Sequence, residues 1–222
     1  MCDISLYKHH VIKIMKDRGG MRMGRKDMLR NRYRPSDSRY IHSREYFRVE
    51  NRIYKARRWP VYECLINPSW KEGGLANILL SRQQPDGNIV FGTYLVDLFC
   101  LGLKDTFCNV NFTLSRYEKE LKSRIYQDEN PIDCQISLAH HIIYGAIEYA
   151  SKLDFKPQKD FEMSKYILEE PSKIEESVSI EFGKDGKPFF MAGPNDDVES
   201  IIKKLERNVG KGNFYFIIGD PI

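Results

Sequence analysis

Residues 75–102 read LANILLSRQQPDGNIVFGTYLVDLFCLG, and the fold follows from how this stretch is read. Leu75 to Arg82 is an apolar run of strand length, and Asn88 to Gly102 is a longer one rich in β-branched and aromatic residues. Between them stands Gln84-Pro85-Asp86-Gly87-Asn88. Proline presets the backbone of a turn and glycine takes its positive-φ position, so the two runs read as a hairpin. Working outward, Val61 to Ile66 reads as a strand, set off by Trp59-Pro60, because the residue before a proline is pushed out of the helical region. On the other side, Phe107 to Phe112 reads as a fourth strand or an irregular edge. An antiparallel meander over residues 61–112 is expected.

Helical patterns follow. One runs from Leu114 to Tyr126, and a longer one spans Asp133 to Leu153, where Ile136, Ala139, Ile143, Ala146, Ile147, Ala150 and Leu153 keep the 3.6-residue period and Asp133 stands at a capping position. A shorter helix is expected from Asp160 to Leu168, and Glu169 to Ser177, with Pro171, reads as a loop. The last segment gives the order ββαβ: Val178 to Phe182, a Lys184-Asp185-Gly186-Lys187 turn, Pro188 to Ala192, a helix carrying Val198, Ile201, Ile202, Leu205 and Val209, and Asn213 to Ile218. Asp196 and Glu199 have capping-box spacing, and Gly210 suits the helix end. The fold class is α+β, an antiparallel sheet with packed helices and a C-terminal ββαβ unit. A basic, partly disordered or helical arm over residues 1–58 precedes a body over 59–222, with possible sub-units 59–168 and 178–220.

Charge divides the chain in the same place. Residues 1–60 hold 17 Lys and Arg against 6 Asp and Glu, and the remainder holds 18 against 25, so a head of net +11 precedes a body of net −7. Arg44, Arg48, Arg52, Arg57 and Arg58 are interleaved with Tyr46, Phe47, Tyr54 and Trp59. Guanidinium groups fork onto phosphate oxygens and aromatic planes stack on unpaired bases, so the composition suits RNA or single-stranded DNA. An acidic protein partner is the competing expectation. A third is internal, with the arginines paired to acidic groups of the body and the aromatics packed on the sheet.

Within the body, alternation puts Ile89, Phe91, Thr93, Leu95, Asp97 and Phe99 on one face of a strand. A carboxylate there is costly unless it is hydrogen-bonded, paired or metal-bound. Two readings stand open. Asp97 could bond to buried backbone or an arginine. Alternatively Asp97, with Glu148 and Asp160, could hold Mg²⁺ for nuclease chemistry, with His141, seven residues from Glu148 and on the same helical face, as a further catalytic candidate. Outside that alternative no cofactor is expected.

Several classes are excluded by motif. No G-x-S-x-G elbow and no zinc-deaminase signature occurs, and Gly19 to Arg25 is only a near miss of a phosphate loop. The five cysteines, Cys2, Cys64, Cys100, Cys108 and Cys134, are odd in number with no C-x-x-C, which suggests neither a disulfide framework nor a zinc ribbon. Phe91 to Leu103, the longest nearly apolar stretch, contains Asp97 and is shorter than the roughly 20 residues of a membrane span. The start of the chain has no apolar signal region, so a cytoplasmic location is expected.

Four motifs carry a resemblance. They are Ala56 to Cys64 (ARRWPVYEC), Phe91 to Gly102 (FGTYLVDLFCLG), Ile143 to Ala150 (IYGAIEYA) and Phe182 to Phe190 (FGKDGKPFF). Over about residues 43–218 the chain resembles a widespread family of uncharacterised bacterial proteins with no assigned activity. The resemblance implies a bacterial cytosolic protein. Asp154 and Gln158 stand where the family's pattern has Gly and His, and the first 40 residues lie outside the resemblance.

Overall fold

A computed structural model describes residues 49–174 and 178–218. Its centre is a five-stranded antiparallel sheet: β1 (Val61–Ile66), β2 (Leu75–Gln83), β3 (Ile89–Asp97), β4 (Gly102–Phe112) and β5 (Ile132–Asp133), in the order β4-β3-β2-β1-β5. The hairpin turn forms as the sequence dictates. Gly87 has φ 79°, its N–H donates to Gln84 O at 2.9 Å, and Asp86 Oδ1 accepts from Asn88 N at 3.1 Å.

Both faces of the sheet are covered, which explains why β2 and β3 read as almost unbroken apolar runs. One face carries Ile66, Ile78, Leu80, Val90, Tyr94, Val96 and Leu103 and packs on helix α1 (Ile136–Lys152) and the 161–168 segment. The other carries Leu65, Leu79, Ile89, Phe91 and Phe112 and packs on Tyr117, Leu121, Ile125 and Tyr126. That second layer spans residues 114–125 and includes a π-helical turn over Tyr117–Lys122. Tyr117 Oη bonds Ser81 Oγ at 2.9 Å, so the one hydroxyl on β2's face is satisfied inside the layer.

The strand expected from Asn88 to Gly102 instead ends at Asp97. Its carboxylate accepts the N–H groups of Phe99, Cys100 and Leu101 and folds the chain into a tight turn. Gly102 leaves this turn at φ 69°, and β4 then runs eleven residues, longer than the expected Phe107 to Phe112. A Cβ on Gly102 would stand 2.7 Å from Ala150 Cβ and 2.8 Å from Ala146 O, so this glycine serves both the backbone angle and the contact with α1. Gly102→Ala is expected to cost about 2 kcal/mol, read as a lowered urea midpoint with an unchanged slope.

Asp133 does not cap α1. It pairs in β5 with Leu65, while Gln135 is the N-cap residue, because the Cys134 N–H donates to Cys64 O at 2.9 Å and extends the ladder before the helix begins. In the C-terminal unit, Val178 to Phe182 is not a strand. Ile180 and Phe182 instead pack on the core, Phe182 stacks on Tyr149 at 5.9 Å, and the next N–H, that of Gly183, donates to Leu98 O at 3.0 Å. The unit is therefore β6 (Phe189–Met191), α2 (Val198–Val209) and β7 (Tyr215–Ile217), with β6 and β7 parallel. Such a pair needs a crossover, which α2 supplies. Asp185 and Gly186 have φ 51° and 73°, as a two-residue hairpin turn requires.

At the start of α2 the cap is Asp197, which accepts from Ser200 N at 3.2 Å. Asp196, expected in that role, instead bonds Lys104 Nζ at 2.6 Å and Gly193 N at 2.9 Å, tying the C-terminal unit to β4. Among the described residues no helix is long and apolar enough to cross a membrane.

Candidate functional site

Asp97 is 5% exposed, and the turn at residues 98–101 consumes its acceptors. Oδ1 takes Phe99 N at 2.8 Å and Cys100 N at 3.0 Å, and Oδ2 takes Leu101 N at 3.1 Å. Burial pushes its carboxyl up, while these N–H groups and Lys104 pull it down. This is the buried-backbone arrangement that its place in the strand allowed.

The other carboxylates lie elsewhere. Glu148 points outward from α1 and pairs with Lys152 at 3.1 Å, its side chain 73% exposed. Asp160 is exposed at the N-cap of the Phe161–Ser164 turn, without a side-chain cap bond. His141 is half-buried on α1, next to His140, which is buried. Among the described residues no group of three His, Cys, Asp or Glu gathers where it could hold a metal ion. The structure thus does not bring Asp97, Glu148 and Asp160 together.

Of the arginines singled out in the basic segment, Arg44 and Arg48 lie outside the described residues. The part that is described, residues 49–58, docks on the body: Ile53 and Ala56 are core residues, and Val49 and Trp59 pack against them. Arg52 pairs with Asp86 at 3.6 Å and also donates to Asn111 Oδ1 and Gln84 Oε1. Arg57 donates to Leu168 O at 2.6 Å and to Lys165 O at 2.9 Å, pairs with Glu170 at 3.5 Å, and lies over the Tyr166 ring. Tyr54 meets the same ring edge-on at 4.6 Å. Arg58 is exposed. Here the internal pairing expected for the arm is what the geometry gives for Arg52 and Arg57.

The most elaborate polar centre is one that sequence reading passed over. Arg82 is 2% exposed, and its guanidinium donates from Nε to Ile167 O at 2.9 Å, from Nη1 to Trp59 O at 2.9 Å, and from Nη2 to Glu169 Oε1 at 2.5 Å. His140 completes the same wall. Its Nε2 is 3.0 Å from Glu169 O, and since a carbonyl only accepts, Nε2 carries the proton. Burial lowers its pKa. Tyr94 donates to Ser164 O at 2.8 Å, which Gly92 permits, because a Cβ there would fall 2.4 Å from the Tyr94 hydroxyl. Together Arg57, Arg82, Tyr94 and His140 hold the 164–170 loop by its carbonyls. The signal was present in the alternation Ala76, Ile78, Leu80, Arg82, which sets a guanidinium in line with an apolar face as surely as β3 does for Asp97.

A cleft of about 200 Å³ opens at the other end of β2, lined by Asn67, Ser69, Leu75, Asn77, Leu95 and Tyr126 among others. Asn67 Oδ1 accepts Asn77 N at 2.7 Å and Asn77 Nδ2 donates to Ile125 O at 3.2 Å, which fixes both amides. Ser69 Oγ bonds Glu129 Oε1 at 2.7 Å at its rim. The charged side chains in its lining are Asp128 and Glu129.

No family model, no curated protein and no solved structure matches this chain.

Proposed function

We propose that the protein is an accessory factor that contacts RNA or single-stranded DNA through its basic N-terminal segment, with the α+β body as its anchor. The observation that carries this reading is the charge of residues 1–48, 13 Lys and Arg against 5 Asp and Glu, ahead of a remainder with 22 against 26. Docking narrows it further. Arg52 and Arg57 are engaged by the body, so phosphate contact falls to Arg44, Arg48 and the cations before them, with exposed Arg58 at the edge. Tyr54 and Trp59 act chiefly as packing groups, since both already meet the body.

The test is binding of a labelled single-stranded RNA across a salt series. Each neutralised phosphate contributes a slope of about −0.7 in log K against log salt for single strands. A variant with Arg30, Arg32, Arg34, Arg39, Arg44 and Arg48 changed to Gln is expected to lose at least about tenfold in affinity and most of that slope. Unchanged affinity and slope in that variant would end the proposal. Arg57→Gln should leave the slope alone, because its partners are the Leu168 and Lys165 carbonyls and Glu170.

A further inference from the structure

The five cysteines show no close spacing in the chain, yet the fold sets two of them face to face. In the antiparallel β1–β5 ladder Leu65 stands opposite Asp133 and Ile66 opposite Ile132. One step further in the same register are Cys64 and Cys134, and the Cys134 N–H donates to Cys64 O at 2.9 Å. Facing residues of such a ladder hold their Cα atoms about 4.5–5.5 Å apart, inside the range of about 4.4–6.8 Å that disulfides span. Both thiols are free, and that of Cys134 donates to Gln135 O at 3.4 Å.

Their surroundings divide the labour between them. The contact with Cys134, then burial, raise the Cys64 thiol, whereas Cys134 is lowered, first by the hydrogen bond from Cys64 and also by the Ala139 N–H in the first turn of α1, against burial. Of the two, the thiol lowered at a helix start is the better nucleophile, and its raised neighbour is the better proton donor. Access comes from the sheet edge. β5 is the outermost strand and only two residues long, both exposed, with Ile132 at 47%; Cys134, the next residue, is buried at 8% exposure, so a small oxidant reaches it past this short edge. Cys100 and Cys108 differ: burial raises both, Cys108 to about 12.

We propose that Cys64 and Cys134 form a redox-active dithiol which a peroxide converts to a cross-strand disulfide. The Cys134 thiolate attacks one peroxide oxygen, the O–O bond breaks, and the departing hydroxide takes a proton and leaves as water, giving Cys134 sulfenic acid. Cys64 then attacks the Cys134 sulfur. The S–S bond forms as the S–O bond breaks, and the Cys64 proton leaves with the oxygen as a second water. Two thiols lose two electrons and one peroxide becomes two waters. The product staples β5 to β1 and so fixes the start of α1 together with the 126–131 loop, which supplies Tyr126 and Glu129 to the cleft.

The experiment uses the full chain treated with hydrogen peroxide, alkylated under denaturing conditions and mapped by mass spectrometry. A Cys64–Cys134 linked peptide, lost on adding dithiothreitol, is expected. In Cys64→Ser, dimedone should label Cys134 as the sulfenic acid, and Cys134→Ser should leave Cys64 unlabelled. The wild-type map needs no variant to fold. If both thiols stay fully alkylatable after peroxide, or if either links to another cysteine instead, the proposal is overturned.

Discussion

Replacing Arg82 by Met is expected to remove about 3–5 kcal/mol of stability, the largest loss for any single side chain described above. The methionine fills much of the volume but provides no donor for Ile167 O, Trp59 O or the Glu169 carboxylate, all of which Arg82 now satisfies. Removing one partner leaves the others buried and unpaired, which costs more than the bonds themselves contribute. Arg82→Lys should recover only part of the loss, because a single ammonium cannot reproduce a planar fork onto three acceptors. Glu169→Gln should cost far less, about 1 kcal/mol, since Glu169 is partly exposed and the amide still accepts. Urea unfolding of the four proteins gives this order, and equal midpoints for wild type and Arg82→Met would show that the network contributes nothing.

Asp97→Ala is expected to cost about 3 kcal/mol, because three N–H groups at residues 99–101 lose their acceptor in a buried turn. Asp97→Asn keeps the Oδ1 acceptor that serves Phe99 and Cys100 and loses the one serving Leu101, so it should fall between. The pH dependence separates charge from hydrogen bonding. Burial raises the folded carboxyl above its ordinary value, so folded Asp97 binds its proton more tightly than unfolded Asp97 does. Its contribution is therefore fully present below the unfolded pKa and is lost as pH rises through the raised folded pKa. The stability gap between wild type and Asp97→Asn should narrow over that window. A gap that widens as pH rises would mean that the donors outweigh burial.

The sequence disclosed what depends on neighbours in the chain. The 84–88 turn, the strand at 61–66 and the long helix follow from turn chemistry and period, and all three stand in the fold. What escaped depends on partners distant in sequence. Alternation marked Asp97 as a buried carboxylate, but that it would end the strand follows from N–H groups whose direction no spacing reveals. Arg57 and Arg82 bind carbonyls of the aperiodic 164–170 loop, so no local spacing announced that Arg57 faces inward while its neighbour Arg58 stays exposed. The Cys64–Cys134 pair depends on a two-residue strand too short to show a period. As for the functional reading, the charge division was plain from composition, whereas the docking that assigns its cations to inner and outer roles was not.

The strand order β4-β3-β2-β1-β5 also bears on how the chain reaches this state. Three of its four ladders join consecutive strands through short connections, and only the last ties residue 66 to residue 132. Local closures cost little chain entropy and are quick, while a distant one must wait for the intervening polypeptide. A four-stranded meander can therefore zip together during synthesis as soon as residue 112 is available, with both faces still bare. The outer strand and the helix after it arrive later as a cover, which makes their docking the step at which a nascent chain is most open to wrong partners.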